Sequence, residues 1–129
     1  MNQVFLEHIN FTVSDAQATA EELCGLFDWQ VRWHGDVLDG QGETYHVGSD
    51  DSYLALYSPK KGASKSNENS YTTGAGLNHI GVVVPDIDVA EDRVQAAGYK
   101  PGPRWDYEPG ERFYFYNRDG IEIEVVSYA

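Results

Sequence analysis

Two hydrophobic rhythms follow one another along this chain, an every-other-residue alternation and then a recurrence every three to four residues, and the same succession occurs twice. Leu6-Glu7-His8-Ile9-Asn10-Phe11-Thr12-Val13-Ser14-Asp15 has the β-branched and aromatic content of a strand that ends in a capping residue. From His8 to His79, 71 positions on, the run Leu77-Asn78-His79-Ile80-Gly81-Val82-Val83-Val84-Pro85-Asp86 repeats its Leu, His, Ile, Val and Asp in register. A helical pattern follows each run. In the first copy Ser14 and Gln17 have the spacing of a capping box, Leu23, Leu26 and Phe27 form the apolar stripe, and the helix is expected to end near Asp28. In the second copy Asp86 is the expected cap. Ile87, Ala90, Val94 and Ala97 make the stripe, and Gly98 suits the left-handed residue that stops the helix.

Strand-like stretches come next: Trp29 to Trp33, Thr44 to Val47 and Tyr53 to Tyr57 in the first half, then a weak one near Tyr99, Arg112 to Tyr116 and Ile121 to Ser127 in the second. The repeating unit is therefore βαβββ, and the fold class is α+β. Between the copies, residues 58–76 are polar and rich in turn formers, as in a long connecting loop. The expected organisation is a single domain, 1–129, made of module 1 (1–57), this loop (58–76) and module 2 (77–129).

Composition narrows the function classes. The chain carries 21 acidic and nine basic residues, a net charge of -12, which repels a nucleic-acid backbone and an anionic membrane surface alike. Three of the nine basic residues, Lys60, Lys61 and Lys65, fall in the connecting loop. No apolar run approaches the roughly 18 residues of a membrane span, and the first residues have no basic-then-apolar signal sequence, so the expected location is cytoplasmic. The single cysteine, Cys24, forms no internal disulfide and reads as a small buried apolar residue.

Strand parity then brings candidate ligands together. His8 shares a strand face with Leu6, Asn10 and Thr12, whereas Phe5, Ile9, Phe11 and Val13 form the apolar face expected to hold the helix. By the same alternation His79 lies opposite Ile80, Val82 and Val84. In the last strand Glu122 and Glu124 share one side, between aliphatic neighbours. A solvated strand face accounts for those carboxylates taken alone. Together with two histidines at equivalent positions of a duplicated unit, they also make a two-histidine, one-carboxylate set, which suits a divalent transition metal and leaves positions open for substrate.

These residues and repeats resemble the vicinal-oxygen-chelate superfamily of glyoxalases, bleomycin-resistance proteins and extradiol dioxygenases. The resemblance covers nearly the whole chain outside 58–76 and implies paired βαβββ modules in a cupped mixed sheet with helices on the outer face. It implies metal ligands on the first and last strands of each module, which here are His8, His79 and Glu124, with Ala55 at the fourth position. The superfamily's C-terminal motif is similar to Phe113-Tyr114-Phe115-Tyr116-Asn117-Arg118-Asp119-Gly120-Ile121-Glu122-Ile123-Glu124, with Arg118 in place of a Pro. What the resemblance implies is a divalent-metal enzyme, a lyase or dioxygenase using Fe, Mn, Zn or Ni, acting on a small vicinally oxygenated molecule through an open His-His-Glu site. A homodimer is implied as well. Tyr114, ten residues before Glu124, matches the active-site Tyr of extradiol enzymes.

Two departures shape that expectation. Ala55 stands where four-ligand glyoxalases have a Glu, and Trp105, Asp106 and Tyr107 stand where extradiol enzymes have an acid-base His. Two other readings belong to the same resemblance: a bleomycin-resistance-like binder that sequesters a cationic aromatic ligand without catalysis, and a fosfomycin-modifying transferase, for which Arg104, Arg112 and Arg118 are the cationic candidates. The faces of His34 and His46 are not fixed by the pattern. Trp29, Trp33, Trp105, Tyr45 and Tyr53 are available to line a pocket.

Overall fold

A computed structural model describes residues 3–107 and 110–129; Met1 and Asn2, with which the reading of a signal-free start begins, and the side chain of Tyr107 lie outside the described residues. The chain divides into two compact units, Met1–Lys65 and Ser66–Ala129. Each is a four-stranded mixed sheet with one helix, so the α+β class and the doubled βαβββ order are as the sequence pattern has them.

In the first unit β1 (His8–Thr12) leads to α1 (Ala16–Phe27), then β2 (Gln30–Val37), β3 (Gly42–Gly48) and β4 (Tyr53–Pro59). The sheet order is β1-β4-β3-β2, with β1 parallel to β4 and the other pairs antiparallel. The cap of α1 is Asp15, one residue later than expected: its carboxylate accepts from Ala18 N–H, while Gln17 donates along the helix to Glu21. At the start of the helix Ala16 N–H donates to Ser58 Oγ at 3.1 Å, which satisfies an orphan donor and fixes the side of the sheet on which α1 lies. Asp28, with φ of 57°, closes the helix in the left-handed conformation, its N–H donating to Cys24 O. Tyr45, Val47 and Leu56 form the buried face beneath α1 together with Leu23 and Leu26. Because the helix crosses β3 and β4 rather than β1, Phe5 and Ile9 stay exposed, and of the four apolar residues expected to back onto it only Val13 is fully buried. Cys24 is half-buried rather than buried, and partial burial followed by the nearby Glu21 pushes its thiol up from the ordinary value.

β2 is longer than the sequence suggests. A register shift between Val31 and Trp33 sets Arg32 off the ladder, and the turn to β3 is made by Leu38 and Asp39, with φ of 53° and 54°, followed by Gly40. β4 runs on to Pro59, two residues into the expected loop.

The second unit has β5 (Ile80–Val83), α2 (Ile87–Ala96), β6 (Trp105–Tyr107), β7 (Gly110–Tyr116) and β8 (Glu122–Ser127), ordered β5-β8-β7-β6. Asp86 caps α2 as expected, accepting from Asp88 and Val89 N–H, and Gly98 follows with φ of 93°. Phe113, Phe115, Ile123 and Val125 are fully buried on the helix side. No strand forms near Tyr99: Pro101 and Pro103 lack the N–H groups a ladder needs, Tyr99 packs on Phe115, and the strand starts only at Trp105. Among the described residues no helix is long and apolar enough to cross a membrane.

Candidate functional site

The face of each sheet away from its helix carries the candidate residues. In the second unit, pairing sets Gly81 beside Glu124 and Glu124 beside Tyr114, with Tyr116 beside Glu122 in the adjoining row. His79, just ahead of β5, brings Nε2 to 3.0 Å from Glu124 Oε1. The other carboxylate oxygen accepts from Arg112 Nη1 at 2.6 Å, and the Arg112 and Glu124 side chains are each only 11% exposed. Arg112 is opposite Val126, so it reaches Glu124 diagonally. Tyr114 meets His79 edge-on, with ring centres 5.9 Å apart.

The imidazoles are oriented from behind. Glu7 accepts from His8 Nδ1 at 2.8 Å and from the Tyr53 hydroxyl at 3.1 Å, and these two bonds, His8 first, hold its carboxyl below the usual range. An ionised carboxylate only accepts, so Nδ1 of His8 carries a proton, and in the neutral ring the lone pair is then on Nε2. At the equivalent place in the repeat Asn78 Oδ1 lies 2.6 Å from His79 Nδ1, while Glu124 Oε1 faces Nε2, so each nitrogen of this ring meets an oxygen. A side-chain oxygen on Nδ1 that leaves Nε2 available is the arrangement found behind metal-ligating histidines. The imidazole nitrogen of His79 and the carboxylate oxygen of Glu124, 3.0 Å apart, are both donor types that a divalent transition metal takes. The donor set therefore fits a divalent ion. Among the described residues no group of three or more His, Cys, Asp and Glu side chains is placed to hold a metal ion.

In the first unit the register resolves both remaining histidines. His34 pairs with Tyr45 on the helix side and stacks on it at 4.7 Å, whereas His46 lies on the open face in the row Asn10, Ala55, His46, Trp33. Its ring is 4.6 Å from Tyr53 and 5.3 Å from Trp33, with His8 6.4 Å away. Burial first, then the charges of His8 and Arg32, push His46 below its ordinary value. Ala55 occupies the expected row but offers no ligand atom. A hollow of about 490 Å³ opens on this face, walled by Trp33, His46 and Tyr57 with Asn10, Thr44 and Leu38. Of the aromatics proposed as pocket lining only Trp33 serves; Tyr45 is beneath α1, Tyr53 stacks on His8, and Trp29 packs on Phe27. Tyr57 and Thr44 share parity with Asn10 and His46 across the register, a signal invisible until the strands are aligned.

Of the cationic candidates, Arg104 is engaged on the helix side by Asp88, Glu91 and Glu111 and lies over the Phe113 ring. Glu122, whose role was open, accepts from Tyr116 at 2.9 Å and from Tyr71, which ties the connecting segment to β8.

Solved structures share this fold. A glyoxylase/bleomycin resistance protein/dioxygenase domain from Frankia sp. EAN1pec superposes with a TM-score of 0.79 at 21% identity, over 96% of this chain and 97% of that one. The fosfomycin resistance protein FosX from Mesorhizobium loti does so with a TM-score of 0.72 at 26% identity, over 95% and 90%. FosX from Listeria monocytogenes, solved in complex with Mn(II) and 1S,2S-dihydroxypropylphosphonic acid, gives 0.72 at 19%, again over 95% and 90%. No curated protein matches the chain at a significant level. Residues 5–125 match the model of the Glyoxalase/Bleomycin resistance protein/Dioxygenase superfamily, and with nearly the whole chain so covered this protein belongs to that superfamily.

Proposed function

We propose that this protein is a divalent-metal-dependent enzyme acting on a small vicinally oxygenated molecule, with His8, His79 and Glu124 as the metal ligands. The observation that carries the reading is the meeting of His79 Nε2 with a Glu124 oxygen at 3.0 Å, while Arg112 occupies the other oxygen. Glu7 and Asn78 each set a side-chain oxygen against Nδ1, which orients the two imidazoles with Nε2 directed away from it. Arg112 fixes the carboxylate so that one oxygen is directed toward His79. A bound divalent ion supplies Lewis acidity toward two adjacent substrate oxygens and the negative charge that develops on them. Tyr114, edge-on to His79, is the hydrogen-bond donor or acid for the substrate. The alanine at 55 favours an open three-ligand set over a four-ligand glyoxalase, and a homodimer, as in the superfamily, is part of this reading.

A fosfomycin-modifying transferase is the second reading, favoured by the 26% identity to a FosX. It is weakened by the engagement of Arg104 and Arg112 with carboxylates, which leaves neither as an open anchor for a phosphonate.

The test is metal analysis of purified protein by mass spectrometry. The parent is expected to carry one divalent ion per chain, and His79→Ala and Glu124→Ala to lose it. A His8→Ala and His79→Ala double variant with the parent's metal content refutes the ligand assignment.

A further inference from the structure

The connecting stretch ahead of His79 is organised by its own hydrogen bonds. Thr72 and Thr73 N–H donate to Asn69 O at 3.1 and 3.0 Å, Tyr71 N–H donates to Asn69 Oδ1 at 2.9 Å, and Gly76 N–H closes back on Thr73 O at 3.2 Å. Among the described residues one hydrogen bond joins 66–76 to the strands of the second unit, from the Tyr71 hydroxyl to Glu122 Oε1. Glu122 is set to receive it. Tyr116, its cross-strand neighbour, donates to Oε2 at 2.9 Å, so each carboxylate oxygen takes one phenol. Tyr71 and Tyr116 are each 59% exposed, so the hydrogen bond rather than ring burial carries the attachment. Its place on the sheet brings it beside the candidate metal site. Glu122 and Glu124 share the open face of β8, and Tyr116 and Tyr114 face them in consecutive rows. After the Glu122 bond, burial and the Glu122 charge, Tyr116 and Tyr114 add to the upward push on the Tyr71 phenol, so the three phenols stand at one end of that face. The same stretch leads through Leu77 and Asn78 into His79, whose Nε2 meets Glu124.

We propose that residues 66–76 form a strap across the Glu122 end of this open face, with Tyr71 as its latch and the Tyr116-steadied carboxylate of Glu122 as the catch. Latched, the strap covers the approach to Tyr114 and Glu124; unlatched, it lifts from the sheet. Because water offsets much of a hydrogen bond lost at an exposed phenol, release is easy and the lifted form is a minor, populated state. Tyr116 keeps the catch in place while the strap is away, so closure needs no rearrangement of the sheet. A gate of this kind sets how fast an ion or small molecule reaches and leaves His79 and Glu124, with entry and departure quickened together when the latch is removed. The inference rests on the proposed function in one respect, that His79 and Glu124 hold a metal ion.

The experiment uses a substitution that removes the latch and keeps a protease site. Chymotrypsin cuts after Tyr and Phe alike, and it needs a stretch of chain detached from the fold. In metal-stripped full-length protein, the rate of cutting after residue 71, divided by that for a free peptide of the same 66–76 sequence, therefore reports the lifted fraction. Tyr71→Phe and Glu122→Leu are each expected to raise it about three- to tenfold, the worth of one such hydrogen bond. The double variant is expected to go no further than either alone, since both remove the same bond. Cutting after the fully buried Phe113 is expected to stay at the parent's rate, which separates lifting of the strap from unfolding. In protein loaded with Zn(II), extraction of the ion by excess chelator is expected to quicken by a similar factor in Tyr71→Phe at unchanged affinity. A cutting rate for Tyr71→Phe within about 1.5-fold of the parent, a rise matched by cutting after Phe113, a double variant far beyond either single, or loaded zinc leaving parent and variant equally fast overturns the inference. The cutting assay needs no metal, so the two readings fail separately: a parent that takes up no Zn(II) yet shows the latch effect upholds the strap and refutes the metal site alone.

Discussion

Replacing Arg112 by Met removes a guanidinium that stands 2.6 Å from a Glu124 oxygen while both side chains are 11% exposed. With charge centres about 4 Å apart and an effective dielectric constant of about 20, the attraction lost is about 4 kcal/mol. Removing one member of a buried pair typically costs about 3–5 kcal/mol, because the remaining charge keeps its desolvation penalty and loses its partner. The expected loss for Arg112→Met is about 3 kcal/mol, at the lower end of that range because His79 Nε2 still stands 3.0 Å from the other oxygen. In a chain of this length that lowers the melting temperature by about 10 °C. The assay is urea unfolding of metal-stripped parent and variant at one fixed protein concentration, repeated with saturating Zn(II). Metal is expected to narrow the gap, since a cation bound by Glu124 and His79 restores part of the missing positive charge. Pairing Arg112→Met with Glu124→Leu is expected to recover most of the stability, because neither charge is then left alone. If Arg112→Met unfolds within about 0.5 kcal/mol of the parent, the guanidinium does not hold the carboxylate and the proposed positioning of Glu124 fails.

Two further outcomes follow from contacts outside the candidate site. The hydrogen bond from Tyr71 to Glu122, ahead of burial, pushes the Tyr71 phenol up to about 12. A phenol raised in the folded state stabilises fully below its ordinary value near 10 and loses that contribution as pH climbs through its folded value, so the tie between the connecting segment and β8 is expected to weaken between about pH 10 and 12. Ultraviolet titration of phenolate, parent minus Tyr71→Phe, shows this as a step near the upper limit; a step near the ordinary value refutes it. At the start of α2, Asp86→Ala removes an acceptor for two N–H groups and is expected to cost about 1 kcal/mol in chemical denaturation, with a loss under about 0.3 kcal/mol counting against the cap.

What the sequence makes legible is whatever depends on local period and on the repeat. The two strand-helix openings, the Asp86 cap and the Gly98 stop all follow from residues close in the chain, and the equivalent positions of His8 and His79 in the repeat follow from the 71-residue shift. Capping geometry is finer than spacing. Ser14 and Gln17 have the right interval, yet Asp15 is the residue whose carboxylate reaches the third amide of α1. The first strand after α2 lies farther along than residue preference places it: Tyr99 has strand character, but the prolines at 101 and 103 deny it a ladder. His46 illustrates a deeper limit. Its face depends on the shift at Arg32 and on a turn in which Leu38 and Asp39 adopt the left-handed conformation, a choice that residue preference disfavours. Glu7 and Asn78 were present beside the histidines from the outset. Their part emerges only when their oxygens are seen on Nδ1.

Aligning the two sheets by register, not by sequence, brings out the difference between the halves. The row Asn10, Ala55, His46 on β1, β4 and β3 corresponds to Gly81, Glu124, Tyr114 on β5, β8 and β7. Ala55 is thus the counterpart of Glu124, and His46 that of Tyr114. In the second unit the carboxylate at this place draws in His79 and Arg112 and concentrates charge on the open face. In the first, a methyl group at the same place leaves the face without a carboxylate, and with no anion to answer, the surrounding positions are filled by Asn10, Thr44, Tyr57 and Trp33. One position of the duplicated framework, alanine in one half and glutamate in the other, thus separates a face without an ion pair at that place from one where a carboxylate gathers an imidazole and a guanidinium.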